Sequence, residues 1–119
     1  MSKLFGRVLL VSAGLMGAAG VAAAASASHG ESRNLSAVAT MFLAHAPVLL
    51  ILGLWAQGRA FMGAGAVLGA GTALFGADLA MREYAGHALF PGAAPVGGGL
   101  MILGWLALTL AGGLMAPRI

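Results

Sequence analysis

Four long apolar runs, separated by short polar connections, dominate the pattern of the chain. They span residues 4–27, 35–56, 60–81 and 95–116. Each run has about 20 residues, the length that an α-helix needs to cross the hydrocarbon core of a bilayer. No segment alternates apolar and polar residues at a period of two, which argues against the strands of a membrane barrel. The pattern predicts an all-α polytopic membrane protein, a four-transmembrane-helix bundle that forms a single domain over residues 1–119.

The connections between the runs predict how the helices follow one another. Residues 29–34 (HGESRN) and 57–59 (QGR) are short, and residues 82–94 (REYAGHALFPGAA) form the only longer connection. Residues 91–92 (PG) are a turn signal, and Pro95 suits the first helical turn, where its missing N–H has no partner to lose. Short connections make sequential helices antiparallel neighbours.

The basic residues predict an orientation in the membrane. With four spans, both termini and the second connection lie on the same side. That side carries four basic residues: Lys3, Arg7, Arg59 and Arg118. The opposite side carries Arg33, Arg82 and the acidic residues. Because cytoplasmic segments are enriched in Lys and Arg, we expect both termini to lie in the cytoplasm.

Residues 21–32 (VAAAASASHGES) allow two interpretations of the first run. Lys3 and Arg7, an apolar run and the A-S-A before Ser28 are typical of a cleaved signal peptide. The run is nevertheless long enough to span a bilayer, which favours a retained helix followed by a first outer loop. A mass measurement that places the N-terminus at Ser28 would overturn the four-helix topology.

The amino-acid composition of the chain excludes several classes of function. The chain is 61% hydrophobic and 8% charged, whereas soluble domains carry about 25% charged residues. It has no cysteine, which excludes disulfides, thiolate metal ligands and a cysteine nucleophile. The basic residues form no patch of the kind that binds nucleic acid. Neither a Ser-His-Asp order nor a pair of catalytic carboxylates can be argued, so we expect no enzymatic activity.

Small residues in the third run indicate how helices pack. They lie at i, i+4 spacing: Gly65, Gly69, Ala73 and Ala77. Lipid supplies no hydrophobic drive between helices, so close van der Waals contact through small residues must hold them together. We expect this stripe to be an internal seam, and the alternative is a homodimer face.

His45 lies near the middle of the second run, two residues before Pro47. A histidine at this depth is a candidate proton relay, haem ligand or quinone contact. No second membrane histidine could complete a bis-histidine haem site. The favoured interpretation is structural: a neutral imidazole bonded to a backbone carbonyl or to a hydroxyl on a facing helix. Trp55 is predicted to anchor at the interface and Trp105 to pack.

Asp78 lies near the end of the third run, with Arg82 four residues further on. That spacing lets the two side chains meet on one helix face, so a local ion pair is the favoured interpretation. The alternative gathers a larger outer-face set as a metal or proton site: His29, Glu31, Asp78, Glu83 and His87. These residues lack the tight spacing of known metal motifs.

Several short motifs bear on family membership. Residues 94–99 (APVGGG) and 104–106 (GWL) lie in the fourth run, residues 27–30 (ASHG) end the first, and residues 45–46 (HA) lie in the second. They resemble the T-P-[IL]-G-G…G-W-L, G-A-H-G and aromatic-His-x-x-His-Ala motifs of the small bacterial inner-membrane family grouped as domain of unknown function 423.

The chain departs from the family motifs at several positions, so it is similar to a divergent member of that family. Residues 74–80 (LFGADLA) carry Asp78 and Ala80 where the family's L-F-S-G-S-L-Y has serine and tyrosine, and Phe42 replaces the first histidine of the second helix. The resemblance implies four helices, a retained first helix and a multi-pass protein of the bacterial inner (cytoplasmic) membrane. It implies no biochemical activity, because the family has none firmly assigned.

Three functions follow as hypotheses. The leading one is a non-catalytic integral membrane protein without cofactor or metal, a small accessory or stabilising subunit of a larger assembly such as a respiratory complex. Its partners would be the lipid bilayer and other membrane subunits or further copies of itself, with no nucleic acid. The alternatives are a small oligomeric transporter, channel or proton-handling protein that uses His45 and Asp78, and an outer-face metal-binding protein.

Overall fold

The computed structural model describes residues 2–55 and 58–115, and these form four α-helices. In chain order they are α1 (Ser2–Gly30), α2 (Arg33–Trp55), α3 (Arg59–Tyr84) and α4 (Ala93–Leu114). Each is long and apolar enough to cross a membrane. The predicted all-α architecture with four candidate spans is confirmed. Arg118, which entered the predicted orientation, lies outside the described residues.

The helices extend beyond the apolar runs at one end of the molecule. α1 continues through His29 to Gly30, and α3 continues to Tyr84, so the third connection shortens to residues 85–92. The predicted ends were too early because polarity marks the end of an apolar run, whereas backbone hydrogen bonding continues into the interface. α1 ends at Gly30, and the next residue, Glu31, has a positive φ of 54° and donates its backbone N–H to the carbonyl oxygen of Ala27 at 2.7 Å.

The start of α4 follows the predicted turn chemistry. Gly92 precedes the helix in the left-handed region, with φ 86°, a conformation that glycine adopts at little steric cost. Pro95 lies in the first turn of α4, where no intrahelical acceptor would be available for an N–H. α2 remains helical through Pro47.

The four helices form an open arrangement. Sequential helices are neighbours, with α1 along α2, α2 along α3 and α3 along α4, while α1 meets α3 only marginally. Gly6 lies opposite Gly53 and Gly20 lies opposite Leu43, so α1 and α2 are antiparallel, as predicted. Gly97 lies opposite Gly71 and Gly104 lies opposite Leu68, so α3 and α4 are antiparallel as well. Among the described residues, no Cα atom of α1 or α2 lies within 8 Å of one in α4. The backbone of α4 is therefore held by α3 alone.

The α3–α4 contact depends on glycine. A Cβ atom on Gly97 would lie 2.7 Å from the backbone nitrogen of Phe75 and 2.9 Å from the carbonyl oxygen of Gly71. A Cβ atom on Gly71 would lie 2.8 Å from the carbonyl oxygen of Gly97. These distances leave no room for a methyl group, so the two backbones touch directly at this crossing.

The predicted small-residue stripe of α3 is an internal seam only in its first half. Gly65 packs against Leu9 and Gly69 against Leu49, whereas Ala73 and Ala77 are exposed. A row at i, i+4 spacing turns about 40° around the helix at each step, because α-helices have 3.6 residues per turn. The row therefore leaves the interface within a few steps.

Candidate functional site

His45 forms the central polar contact of the molecule. It is 5% exposed, and its Nδ1 atom lies 2.8 Å from the carbonyl oxygen of Met41, one turn earlier in α2. The indole Nε1–H of Trp105 in α4 donates to Nε2 of His45 at 3.0 Å. The two rings meet edge to face, with centroids 5.6 Å apart.

These two hydrogen bonds fix the tautomer of His45. An indole N–H can only donate and a carbonyl oxygen can only accept. The ring therefore carries its proton on Nδ1 and presents the lone pair of Nε2 to Trp105. Both nitrogens are engaged, so this arrangement leaves no lone pair for a haem iron or another metal. The favoured prediction of a neutral imidazole bonded to a backbone carbonyl is confirmed.

An apolar groove of about 540 Å³ lies beside the His45–Trp105 pair. Met41 of α2, Phe75 of α3 and Ile102 of α4 are among its lining residues. We call it the α2–α4 groove. It exists because α2 and α4 both pack on α3 without meeting each other, so only long side chains bridge the gap between them.

Asp78 joins the end of α3 to the third connection. Its side chain is fully buried. Oδ2 accepts a hydrogen bond from Nε of Arg82 at 2.9 Å, and Oδ1 accepts one from the backbone N–H of Leu89 at 2.8 Å. The predicted Asp78–Arg82 pair is confirmed, and Leu89 is a partner that the spacing did not indicate.

Glu83 joins the end of α3 to the start of α2. Its Oε1 atom accepts hydrogen bonds from the Ser32 hydroxyl at 2.6 Å and from the Asn34 amide at 3.3 Å. The Ser32 oxygen in turn accepts the backbone N–H of Leu35 at 3.1 Å, which makes Ser32 the N-cap of α2.

The two acidic residues, Asp78 and Glu83, lie where their negative charges stabilise the N-terminal ends of neighbouring helices. A carboxylate near the C-terminus of its own helix is electrostatically unfavourable, whereas one near a helix N-terminus is favourable. Asp78 and Glu83 lie near the end of α3, where the antiparallel α4 and α2 begin. Glu83 contacts Ser32, the N-cap of α2, and Asp78 accepts the backbone N–H of Leu89, in the connection that leads into α4.

The other outer-face candidates do not complete a site. His29, Glu31 and His87 are exposed, and Nδ1 of His87 lies 2.9 Å from the carbonyl oxygen of Ala88. Within residues 2–55 and 58–115, no group of three or more His, Cys, Asp or Glu residues could hold a metal ion. The five residues proposed as a metal or proton site are therefore not gathered into one ligand set.

The sequence pattern missed the partners that complete these contacts. Trp105 was expected only to pack, yet its N–H binds His45. The contacts from Ser32 and Asn34 to Glu83 were also missed. An available signal was Ser32 itself, because a serine directly before an apolar helical run is typical of an N-cap.

No protein-family model matches the chain, and no solved structure matches it. The resemblance to domain of unknown function 423 therefore stays a prediction.

Substitution of the cap tests the start of α2. We expect Ser32→Ala to lower the free energy of unfolding by about 1 kcal/mol, the usual effect of losing a serine cap. Ser36→Ala is the matched control, since Ser36 is an exposed serine one turn further along α2. Denaturant titration in detergent micelles, followed by circular dichroism, measures both. Equal effects of the two substitutions would show that Ser32 does not act as a cap.

Proposed function

We propose that the chain is a non-catalytic integral membrane protein that serves as a small accessory or stabilising subunit of a larger membrane assembly. The observation that carries this proposal is the internal use of polar groups. Among the described residues, no buried side-chain nitrogen or oxygen lacks a hydrogen-bond partner. The buried polar side chains are thus engaged within the chain: His45 bonds to Trp105 of α4 and Asp78 to the connection before α4, while Thr72 bonds to its own helix.

The outward face of α3 supports an association with other helices. It is exposed, and it consists only of small residues: Gly63, Ala66, Ala70, Ala73 and Ala77. Large exposed apolar side chains are numerous on α1, α2 and α4, whereas the one on α3 is Tyr84 at its end. Small residues let another helix approach closely in lipid, where packing rather than hydrophobicity drives association. A neighbouring subunit or a second copy of the chain would pack on this face.

The proposal also includes the membrane in which the protein lies and its orientation there. We place the protein in the bacterial inner membrane with both termini in the cytoplasm. The support is the Lys and Arg pattern, with Lys3 and Arg7 at the start of α1 and Arg59 at the start of α3. The four candidate spans support a multi-pass protein. The family resemblance and the retained first helix belong to the same proposal.

No observation favours the transport or metal-binding alternatives. Both nitrogens of His45 and both carboxylate oxygens of Asp78 are engaged within the chain. A relay through either residue would first have to break these contacts. We therefore carry neither alternative further.

A bulky substitution on the α3 face tests the accessory role. We expect the wild-type chain, extracted in a mild detergent, to migrate on native gels as part of a larger stoichiometric species. Ala73→Leu is expected to reduce that species at least several-fold, because the larger side chain keeps a partner helix away. Ala18→Leu on the exposed side of α1 is the control and should leave the species intact. A strictly monomeric wild-type chain would contradict the proposal.

A further inference from the structure

A groove of about 530 Å³ lies between α1 and α2 at the end where residues 31–32 join the two helices. We call it the α1–α2 groove. Small side chains line its apolar part, including Ala24 and Ala27 of α1 and Ala39 of α2. Because alanine extends only one carbon atom from the backbone, two neighbouring helices that carry alanine along their contact leave a furrow between them. The α1–α2 groove therefore has room for a slender apolar chain.

The end of the α1–α2 groove beside the connection carries two opposite charges. Glu31 and Arg33 both line it, and both are exposed. Glu31 has a positive φ of 54°, which is uncommon for a residue other than glycine, and α2 begins only two residues later. Across residues 2–55 and 58–115, the ion pair joins Asp78 to Arg82, so Glu31 and Arg33 do not neutralise each other by direct contact. Both charges are available to a ligand from outside the chain.

The polar and apolar parts of the α1–α2 groove follow one another along the helices. Ser36 lies about one turn after Arg33, is exposed and adds a hydroxyl to the polar part. Ala24 and Ala39 lie further from the connection, along two helices that are each long and apolar enough to cross a membrane. A ligand in the groove would thus meet charges at the ends of the helices and alanine further in, which suits a lipid with a polar head group and an apolar tail.

The pair of charges decides which head group fits the α1–α2 groove. A head group with only a negative charge would be attracted by Arg33 and repelled by Glu31. A zwitterionic head group offers a phosphate to Arg33, whose guanidinium binds phosphate through directed N–H donors, and a cationic amine to Glu31. A primary ammonium has N–H donors for a carboxylate, whereas a trimethylammonium has none. The charges therefore favour a zwitterionic phospholipid with a primary amine.

We propose that the α1–α2 groove is a binding site for phosphatidylethanolamine. Arg33 binds the phosphate, and the hydroxyl of Ser36 is a second donor to it. Glu31 accepts N–H hydrogen bonds from the ammonium group, and one acyl chain lies along Ala24 and Ala39. The site rests on the proposed placement of the chain in a membrane, but it does not depend on the accessory role.

Native mass spectrometry of the purified full chain in a mild detergent tests the site. Phosphatidylethanolamine, phosphatidylcholine and phosphatidylglycerol with identical acyl chains are added together at equal concentrations. We expect the complex with phosphatidylethanolamine to be several-fold more abundant than either of the other two complexes. Equal abundances would overturn the proposal. Equally strong binding of glycerophosphoethanolamine, the same head group without acyl chains, would show that the ligand is a small solute and would also overturn it.

Substitution of each charge separates its role. Glu31→Gln should lose the preference for phosphatidylethanolamine and favour phosphatidylglycerol, because only the positive charge of Arg33 remains. Arg33→Gln should reduce every phospholipid complex several-fold. Arg59→Gln is the matched control, since Arg59 is exposed at the start of α3, at the opposite end of the bundle, and it should keep the wild-type preference. An unchanged preference in Glu31→Gln would contradict the assignment of the amine to Glu31 and overturn the proposal.

Flotation with phosphatidylcholine vesicles after an alkaline wash separates this site from the membrane placement. We expect the chain to float with vesicles that lack phosphatidylethanolamine, because insertion of a span depends on its length and apolar character and not on one head group. A chain that floats but shows no lipid preference would contradict the site alone. A chain that does not float would contradict both the membrane placement and the site.

Discussion

Asp78→Ala is expected to destabilise the fold more than any other single substitution among the ionisable residues near the end of α3. The carboxylate is fully buried and accepts hydrogen bonds from Arg82 and from the backbone N–H of Leu89. Alanine leaves that N–H without its acceptor, and a hydrogen bond to a charged group typically contributes about 1.5–3 kcal/mol. Because Leu89 belongs to the connection before α4, the loss also loosens the entry into α4.

Two comparisons separate the role of the hydrogen bond from that of the charge. Asp78→Asn retains an oxygen that can accept from Leu89 but removes the ion pair with Arg82, which is partly exposed. It should therefore retain more of the stability than Asp78→Ala, because it keeps an acceptor for Leu89 and the Arg82 side chain is exposed enough to be solvated without its partner. Glu83→Gln is the control on an exposed acidic residue and should have the smallest effect. Thermal unfolding in detergent micelles gives the order of stability among these variants. An equal loss of stability in Asp78→Asn and Asp78→Ala would show that the charge, and not the hydrogen bond to Leu89, causes the effect.

The number and type of helices could be predicted from the sequence because span length and hydropathy are local properties. The pairing of Asp78 with Arg82 was predictable for the same reason, since it depends only on helical spacing. The contact of Asp78 with Leu89 was not, because it depends on the path of residues 85–92. The helical spacing therefore predicted that Asp78 pairs with Arg82. It did not predict that Asp78 also binds the connection between α3 and α4.

The contacts of His45 were likewise predictable only in part from the sequence. A buried imidazole bonded to a carbonyl was predicted from the cost of an unpaired polar group in lipid, and the bond to Met41 confirms the carbonyl partner. The second partner, Trp105, depends on how α4 is rotated and placed relative to α2. Hydrophobic periodicity does not fix that rotation here, because helices that span a membrane are apolar on every side.

Gly97→Ala is expected to separate α3 from α4, although it adds only a methyl group. Its Cβ atom would lie 2.7 Å from the backbone nitrogen of Phe75 and 2.9 Å from the carbonyl oxygen of Gly71. Backbone atoms cannot move aside as a flexible side chain can, so the helices themselves must shift. Insertion of extra volume into a well-packed contact typically costs about 1–3 kcal/mol. Since the backbone of α4 is in close contact with α3 alone, no other helix offsets the loss.

Gly99→Ala supplies a matched control within the same glycine run. A Cβ atom on Gly99 meets nothing within 4 Å, and alanine favours a helix over glycine by about 0.5–1 kcal/mol. We therefore expect Gly99→Ala to be neutral or slightly stabilising, and Gly97→Ala to be destabilising, in the same detergent unfolding measurement. Helix propensity alone predicts the same sign for both substitutions, because both replace glycine with alanine two positions apart in α4. Opposite signs would thus identify the backbone contact between Gly71 and Gly97 as the feature that fastens α4, and equal signs would refute it.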